Sequence, residues 1–326
     1  MGKKVLIFGD IGIDDIMALL YGALNQDIDI IGVVADYGNI SRKNALASVN
    51  YIRQLLNITT EFPIIVGAET PMTGEEPTYF PEIHGEFGLG PITPPQINGE
   101  GVSENFFDIV SIINKYENEL IIVNIGRLTS LATMFILYRE LMGKVSKYYI
   151  MGGAFWVPGN VTSVSEANIY GDPFAANVVL KYAEDLTIIP LNVTQQAVAT
   201  PEMINYIDKV GQIDIIKPMV DFYFNYYKAR DPRIQGSPMH DVLTLMAVLY
   251  DDMFTYYYLP VYIPQSLTGS TRGQTIADIR SYVTKDTDED RKFRIAFQLD
   301  YESFYTHFMT TMTRPLSQIP TNKSHM

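Results

Sequence analysis

Short apolar runs alternate with longer amphipathic segments over the first 190 residues, and this alternation limits the fold more than any other feature of the chain. Such runs are typical of buried strands, and the segments between them have helical periodicity. Strands are predicted at Val5–Phe8, Ile28–Ala35, Pro63–Val66, Leu120–Asn124, Tyr148–Met151 and Thr187–Pro190, and helices at Asp14–Leu24, Ser41–Leu56, Ser103–Tyr116, Leu128–Leu141 and Pro173–Ala183. The alternation predicts an α/β fold with a mostly parallel, Rossmann-like central sheet and helices on both faces.

The remainder of the chain is more helical, and we expect it to be a C-terminal elaboration of a single domain spanning residues 1–326. Helices are predicted at Pro201–Lys228 and His240–Tyr250, and strands at Tyr256–Ile263, Thr275–Ile279 and Phe293–Leu299. Two long segments, Gly67–Gly99 and Gly152–Gly171, are predicted to be loops. Loops of this length in a compact domain are usually functional or mobile.

The composition argues against several classes of protein. Lys and Arg number 24 against 37 Asp and Glu, and the net charge of −13 argues against nonspecific binding to nucleic acid or to anionic membranes. The chain has no cysteine, which excludes disulfides and thiolate zinc sites. Because the first residues lack the features of a signal peptide and no run approaches the ~20 apolar residues of a membrane span, we expect a cytoplasmic protein.

Three aspartates, Asp10, Asp14 and Asp15, cluster where the first predicted strand gives way to the first predicted helix. Gly9 and Gly12 allow the backbone to bend sharply at this turn. Three carboxylates this close repel one another, and a helix N-terminus offsets only about 0.3–1 kcal/mol for each of them. A hard cation offsets far more, and oxygen ligands without cysteine suit calcium or magnesium. The alternative is an acidic helix cap on a solvated loop.

Two further groups of polar residues are candidates for a functional site. His240 and Asp241 stand at the start of a predicted helix, where an aspartate is usually an N-cap and a histidine is usually structural. Asn160, Glu166 and Asn168 lie in a predicted loop after a strand, and their amide and carboxylate groups are suited to binding sugar hydroxyls. A turn-rich surface loop is the alternative explanation of the same residues.

A glycine-led turn, Gly126-Arg127-Leu128-Thr129, follows the strand predicted at Leu120–Asn124. Such a turn can leave a backbone carbonyl, that of Ile125, free to bind a cation. The sequence contains no GxxxxGK[ST] motif and no GxGxxG motif after its first strand. Phosphate-binding loops of those two kinds are therefore not expected.

Taken together, these stretches resemble the inosine–uridine nucleoside hydrolase family from about residue 5 to about residue 300. The family opens with a DTDPGxDD motif, which corresponds here to Phe8-Gly9-Asp10-Ile11-Gly12-Ile13-Asp14-Asp15. The other matching stretches are, in chain order, Tyr37-Gly38-Asn39, His84-Gly85-Glu86-Phe87-Gly88-Leu89-Gly90, Gly126-Arg127-Leu128-Thr129-Ser130, Met151-Gly152-Gly153-Ala154, Gly159-Asn160, Glu166-Ala167-Asn168, Asp172-Pro173, His240-Asp241 and Thr271-Arg272-Gly273-Gln274-Thr275. Each match is weak alone, and their number and order carry the resemblance.

The resemblance implies the nucleoside hydrolase fold and hydrolysis of the N-glycosidic bond of purine and/or pyrimidine ribonucleosides to base and ribose. It implies a Ca²⁺ site built from Asp10, Asp15, the backbone carbonyl of Ile125 and Asp241, completed by the ribose 2′- and 3′-hydroxyls. Asp10 would be the general base that takes a proton from a calcium-bound water. The chemistry agrees, because positive charge develops on the ribose as the bond breaks and nearby carboxylates stabilise it.

The resemblance also implies how a nucleoside substrate is held. The implied sugar contacts are to the ribose hydroxyls from Asp14, Asn39 and Asn168, and to the 5′-hydroxyl from Asn160 and Glu166. His240 is expected to protonate or orient the leaving base, and His84 is a further candidate for substrate binding. Tyr223 and Tyr227 are candidates for stacking on the base or donating to it, with core packing as the alternative. A homodimer or homotetramer is implied as well.

The sequence departs from the family pattern at Phe8, Gly9, Ile11, Ala167 and Asn192, none of which is an expected ligand. Phe8 replaces an aspartate thought to buttress the turn, Ile11 replaces a proline, and Ala167 replaces a phenylalanine that walls the pocket. These departures keep open an alternative function, that of a non-catalytic relative that binds ribose or a nucleoside. A metal-dependent phosphatase is a third hypothesis, disfavoured because the matching turns offer only two arginines as a phosphate clamp.

Overall fold

Eleven strands form the β-structure in this computed structural model, which describes residues 2–56, 62–95, 102–103, 105–278 and 291–315. They are β1 (Lys3–Gly9), β2 (Ile28–Ala35), β3 (Ile64–Val66), β4 (Val102–Ser103), β5 (Leu120–Asn124), β6 (Lys147–Met151), β7 (Leu186–Ile189), β8 (Val198–Ala199), β9 (Ser237–Pro238), β10 (Phe254–Pro260) and β11 (Lys292–Leu299). Nine of them form a central sheet in the order β10-β11-β7-β6-β5-β1-β2-β3-β4, and β8 pairs separately with β9. Within the central sheet only β10, at one edge, runs antiparallel to its neighbour.

Helices connect most of the strands. They are α1 (Ile13–Leu24), α2 (Arg42–Leu55), α3 (Pro81–His84), α4 (Asp108–Lys115), α5 (Thr129–Leu137), α6 (Arg139–Met142), α7 (Ala167–Gly171), α8 (Pro173–Tyr182), α9 (Leu191–Thr194), α10 (Pro201–Val210), α11 (Ile216–Arg230), α12 (His240–Met246) and α13 (Tyr301–Met312), with a short 3₁₀ helix at Asp251–Met253. Ser41 is the N-cap of α2, as predicted, since its hydroxyl accepts from the backbone N–H of Asn44 at 3.3 Å.

The central sheet separates two hydrophobic cores, one on each face. Along β1, Val5 and Ile7 belong to one core and Leu6 and Phe8 to the other, because successive side chains of a strand point to opposite faces. Every residue of β1 after Lys3 is buried, as expected for a parallel strand with both faces covered. This arrangement explains why the predicted strands are continuous apolar runs.

The strand order places β1 and β5 side by side in the middle of the sheet, so their carboxyl ends are neighbours. β2 and β3 lie on one side of β1, and β5, β6 and β7 lie on the other, so the direction of winding reverses between β1 and β5. In open α/β sheets, ligands bind in the crevice outside the carboxyl ends of the strands at such a reversal. The segments that follow β1, β2, β5 and β6 therefore meet at one crevice.

The predicted fold class is confirmed, with a mostly parallel central sheet between two helix-covered cores. The strands predicted at Ile28–Ala35 and Leu120–Asn124 have the predicted bounds, and α1 begins one residue before the predicted Asp14. Among the described residues, none of the helices is long and apolar enough to cross a membrane. The single-domain extent stays a prediction.

Three predicted helices are divided in two or begin later than predicted. The helix predicted at Leu128–Leu141 is interrupted at Tyr138, which separates α5 from α6. The helix predicted at Pro201–Lys228 is two helices, and α10 ends at Gly211 because glycine is a poor helix former. The helix predicted at Ser103–Tyr116 begins only at α4, since Ser103 pairs in β4 with β3.

The predictions for the later connections also need correction. Thr275–Ile279 is not a strand over its described residues, because Ile276 forms only an isolated bridge with Tyr262. The two predicted loops contain the short helices α3 and α7, and the helix predicted at His240–Tyr250 ends at Met246. Ile279 and residues 96–99 of the first predicted loop lie outside the described residues.

Candidate active site

The turn after β1 buries Asp10 completely and fixes both of its oxygens. Asn39, which follows β2, donates its backbone N–H to Asp10 Oδ2 at 2.9 Å and its side-chain Nδ2 to Asp10 Oδ1 at 3.1 Å. Arg127, which follows β5, donates Nη1 to Asp10 Oδ2 at 2.7 Å. Gly38 permits this approach, since its φ is +154° and a Cβ there would lie 2.0 Å from Asp10 Oδ2.

The first turn of α1 adds two more buried carboxylates, Asp14 and Asp15. Asp15 Oδ2 accepts from the backbone N–H of Gly12 at 2.7 Å and from Asn39 Nδ2 at 3.2 Å, so Asn39 links Asp15 to Asp10. Asp241, in the first turn of α12, approaches the same point, and Asp14, Asp15 and Asp241 each offer an oxygen within 4.8 Å of the others. We call Asp10, Asp14, Asp15 and Asp241 the acid cluster.

Burial dominates the electrostatics of the acid cluster. Loss of hydration raises the pKa of every member. Repulsion from neighbouring carboxylates adds to this for Asp14, Asp15 and Asp241, and the pKa of Asp14 reaches about 7. The Arg127 guanidinium partly offsets this by lowering the pKa of Asp10. Two buried oxygens, Asp14 Oδ1 and Asp15 Oδ1, have no hydrogen-bond partner among the described residues. Buried acceptors without donors are costly, so the arrangement favours a bound cation.

The donor set fits a hard cation. All the candidate ligands are oxygens. Ile125 lines the same pocket as Asp14 and Asp241, and its backbone carbonyl accepts from Asn168 Nδ2 at 2.9 Å. Carboxylate and carbonyl oxygens are the ligands that Ca²⁺ and Mg²⁺ prefer, whereas zinc sites favour nitrogen and sulfur. The buried aspartates could therefore hold a metal ion.

The wall of the crevice after β6 is built from amide and carboxylate groups. Glu166 is the N-cap of α7, and its carboxylate accepts from the backbone N–H groups of Gly153, Asn168 and Ile169 at 2.7–3.1 Å. Asn160 accepts from the backbone N–H of Ala167 at 2.9 Å. These bonds fix the loop between β6 and α7 and turn its polar side chains toward the crevice.

Two neutral histidines also line the pocket. The backbone N–H of Ile13 donates to His84 Nδ1 at 3.1 Å, so the ring proton of neutral His84 is on Nε2. His240 Nδ1 is 2.8 Å from the hydroxyl of Thr194. Burial lowers the pKa of His84 to about 3 and that of His240 to about 4. Both rings are therefore neutral near pH 7.

Helix α11 supplies an aromatic side to the crevice. Tyr223 and Tyr227 contact each other edge to face with ring centroids 4.9 Å apart, and Tyr223 also lies 5.5 Å from the ring of His84. Tyr226 and Arg230, one helical turn apart, line the crevice as well. Neither residue is among the predicted site residues, and Arg230 lies beyond the helix predicted at Pro201–Lys228, since α11 continues to Arg230.

One pocket unites most of the predicted site residues. Its lining includes Asp14, Asn39, His84, Ile125, Asn160, Glu166, Asn168, Tyr227, His240 and Asp241. Asp10 and Asp15 are fully buried beside this lining. Trp156 lines a different pocket. The structure thus brings the predicted residues together, and their individual roles stay predictions. Arg127 was predicted only as part of a turn, and its side chain lines this pocket too.

Four of the five departures from the family pattern have local explanations, and nothing in the structure explains Ala167. Phe8 is packed in a hydrophobic core, and a Cβ at Gly9 would lie 2.8 Å from Asp15 Oδ1, so the aspartate occupies that space. Ile11 has a φ of 52°, a left-handed conformation that proline cannot adopt and that strains an isoleucine. Asn192 exchanges two hydrogen bonds with the backbone of Phe155, at 3.0 and 2.7 Å.

Comparison with known proteins places the site in a family context. The family model described as inosine-uridine preferring nucleoside hydrolase matches residues 5–306. Uridine nucleosidase 1 from Arabidopsis thaliana is 31% identical over 259 residues, covering 78% of this chain and 76% of its own. The solved structure of a purine-preferring ribonucleoside hydrolase from Gardnerella vaginalis has a TM-score of 0.86 at 27% identity, covering 95% of this chain and 98% of its own. A plant nucleoside hydrolase has a TM-score of 0.87 at 26% identity, covering 97% and 100%.

Proposed function

Because the chain belongs to the inosine-uridine preferring nucleoside hydrolase family and is a nucleoside N-glycosidic hydrolase, we propose that it cleaves purine and/or pyrimidine ribonucleosides to base and ribose with one bound calcium ion. The observation that carries the proposal is the acid cluster, which lies at a pocket walled by amides and aromatic rings. Buried carboxylates attract a cation and stabilise the positive charge that develops on ribose. Aromatic rings can pack against the ring of a nucleoside base.

The cation would be held by Asp10, Asp15, Asp241 and the carbonyl of Ile125. The orphaned oxygen of Asp15 supports this assignment, and Asp14, with an orphaned oxygen of its own, is available to the ion or to a ribose hydroxyl. When bound, the cation would fix the ribose 2′,3′-diol and lower the pKa of the attacking water.

The chain's own residues would carry out the bond exchange. Asp10 accepts a proton from the attacking water, whose oxygen bonds to ribose C1′ while the C1′–N bond breaks and the base leaves with the bonding electrons. Asp14, Asn39 and Asn168 orient the ribose hydroxyls, so the water and C1′ stay aligned. Glu166 and Asn160 contact the 5′-hydroxyl.

The other side of the pocket would meet the base. His240, neutral near pH 7, can offer a ring N–H to the leaving base if its Nδ1 accepts from Thr194. Tyr227 and His84 line the same side and would contact the ring of the base. A hydrogen bond to the departing base offsets the negative charge that the base acquires. The predicted homodimer or homotetramer and the predicted cytoplasmic location belong to this proposal as well.

The test is base release from a panel of ribonucleosides that contains inosine, adenosine, guanosine, uridine and cytidine, followed by chromatography. We expect release of at least one base with Ca²⁺, loss of release in excess chelator, and recovery when Ca²⁺ is restored. No release from any of the five would contradict the proposal. Tight nucleoside binding by calorimetry without hydrolysis over hours would favour a non-catalytic binding protein instead.

A further inference from the structure

Arg127 is a buried arginine inside the candidate active site. Its side chain is only 4% exposed, and the single nitrogen Nη1 donates to Asp10 Oδ2 at 2.7 Å and to Asn168 Oδ1 at 2.8 Å. These two acceptors are the proposed general base and a proposed ribose contact. Arginine is almost never fully buried unless its charge is paired, and here the partner is Asp10.

The fold makes room for this conformation. A Cβ on Gly171, at the end of α7, would lie 2.6 Å from Arg127 Nε and 2.8 Å from its Cδ. Glycine at position 171 therefore lets the guanidinium reach across to the turn after β1. Asn168 lies one turn earlier in α7, and its Nδ2 donates to the carbonyls of Ile125 and Met151 at 2.9 and 3.2 Å. The amide of Asn168 is thus held at both of its ends.

The positive charge of Arg127 also affects the binding of a cation at the pocket. Asp10, Asp14, Asp15, Asp241 and Glu166 are all buried around the pocket, and among the described lining residues Arg127 is the buried cation that faces them. A fixed positive charge beside a divalent-cation site repels the incoming ion, while it also restrains the carboxylate on which that ion would act.

We propose that Arg127 is a positioning residue for hydrolysis, which holds Asp10 and Asn168 in their working orientation and weakens cation binding as a consequence. The inference rests on the proposed function of the acid cluster. It predicts that loss of the guanidinium has opposite effects on two measurements. Turnover falls because Asp10 and Asn168 lose their common donor, and cation affinity rises because a like charge is removed.

The experiment compares wild type with Arg127→Met and Arg127→Lys, by steady-state kinetics on a nucleoside that wild type cleaves and by calorimetric titration of the metal-free proteins with CaCl₂ alone at pH 8. For Arg127→Met we expect kcat to fall about 10- to 100-fold with KM changed less than about threefold. We expect Ca²⁺ to bind about tenfold more tightly. Arg127→Lys keeps the charge, so it should retain wild-type Ca²⁺ affinity and recover part of kcat.

Lys4→Met is the matched control, because Lys4 forms a buried ion pair with Asp29 at the opposite end of β1. It should lower the melting temperature and leave kcat and Ca²⁺ affinity unchanged. Ca²⁺ binding to Arg127→Met that is weaker than or equal to that of wild type would overturn the inference, since a merely structural arginine would weaken the whole site. If Arg127→Met does not fold, a loss of Ca²⁺ affinity in Arg127→Lys would overturn it. Absence of turnover in wild type would refute the proposed function, while the Ca²⁺ titrations would still test the charge of Arg127.

Discussion

The two ends of β1 carry buried charges that are arranged in opposite ways. At the amino end, Lys4 donates to Asp29 of β2 at 2.5 Å, and a positive charge meets a negative one. At the carboxyl end, Arg127 donates to Asp10 at 2.7 Å, but this one guanidinium faces the whole acid cluster and Glu166. The first end is electrically balanced by its own pair, and the second carries an excess of buried carboxylates.

The difference separates a structural charge from a functional one. Burying a charge costs several kcal/mol, and a hydrogen-bonded partner offsets part of that cost. An excess of buried negative charge lowers the stability of the folded protein. Such an excess is typical of a site that a ligand completes. The orphaned oxygens of Asp14 and Asp15 are the direct sign of that excess. The following predictions test the contrast, from the largest expected effect to the smallest.

Asp10→Asn should lower turnover by about 10³-fold while the protein keeps its fold, because an amide cannot accept the proton of the attacking water. Asp29→Asn, at the other end of β1, should lower the melting temperature and leave kcat within about twofold. Steady-state kinetics and thermal unfolding on both variants make the comparison. Equal rates for Asp10→Asn and wild type would remove Asp10 from the mechanism.

Ca²⁺ at about 100 times its dissociation constant should stabilise the wild-type protein by about 2.7 kcal/mol, since it binds only the folded state. Asp241→Asn should lose most of this gain because one ligand of the acid cluster is removed. Asp29→Asn should keep it. Urea unfolding with Ca²⁺ and with chelator measures the stabilisation. If Ca²⁺ stabilised the Asp241 and Asp29 variants equally, the ion would not be bound by the acid cluster.

The metal-free protein should lose stability as the pH rises from about 6.5 to about 8. Below this range the buried histidines His84 and His240, whose pKa values are lowered from 6.5, oppose the loss. Burial raises the pKa of Asp14 to about 7 and that of Asp36, behind the acid cluster, to about 8, from an ordinary 3.8. In this range the folded chain keeps protons that the unfolded chain has released, so unfolding becomes more favourable with rising pH.

Asp36→Asn should reduce this pH-dependent loss by about 1–3 kcal/mol, because the neutral amide no longer titrates. Its Oδ1 can still accept from Ser130 and from the backbone N–H of Ala68. Urea unfolding in chelator at pH 6.5 and pH 8 tests both statements. A gain in stability of the metal-free protein between these pH values would contradict the prediction, because other groups would then offset the raised pKa values of the buried acids.

Asp300→Ala should have the smallest effect, a loss of about 1 kcal/mol in the free energy of unfolding. Asp300 is an exposed acid that caps α13, and it accepts from the backbone N–H groups of Glu302 and Ser303 at 3.0 and 3.2 Å. An acid with its own donors should contribute to stability and not to Ca²⁺ binding. A changed Ca²⁺ affinity in this variant would contradict the distinction between an exposed capping acid and the acids of the acid cluster.

The sequence predicts the fold and the turn that carries Asp10, Asp14 and Asp15 well, because both depend on local patterns. The apolar run of β1, the glycines at positions 9 and 12, and the spacing of Asp10, Asp14 and Asp15 define a strand-to-helix turn at the edge of a sheet. The meeting of that turn with Asp241 required the family resemblance, because Asp241 lies 226 positions after Asp15 in the sequence.

The parts that sequence reasoning missed depend on distant packing. Arg127 and Asp10 pair across 117 positions, and the cavity that admits the guanidinium depends on Gly171. No local pattern encodes either contact. The isolated bridge of Ile276 likewise depends on a partner, Tyr262, that is not adjacent in sequence. The contacts of Tyr227 with a base have the same origin and stay a prediction.

A crystal structure of the protein with CaCl₂ and ribose would test the central claim most directly. The account predicts one Ca²⁺ with oxygen ligands at about 2.3–2.6 Å from Asp10, Asp15, Asp241, the carbonyl of Ile125 and the ribose diol. An acid cluster that holds no ion under these conditions, or an ion bound at a different place, would contradict it.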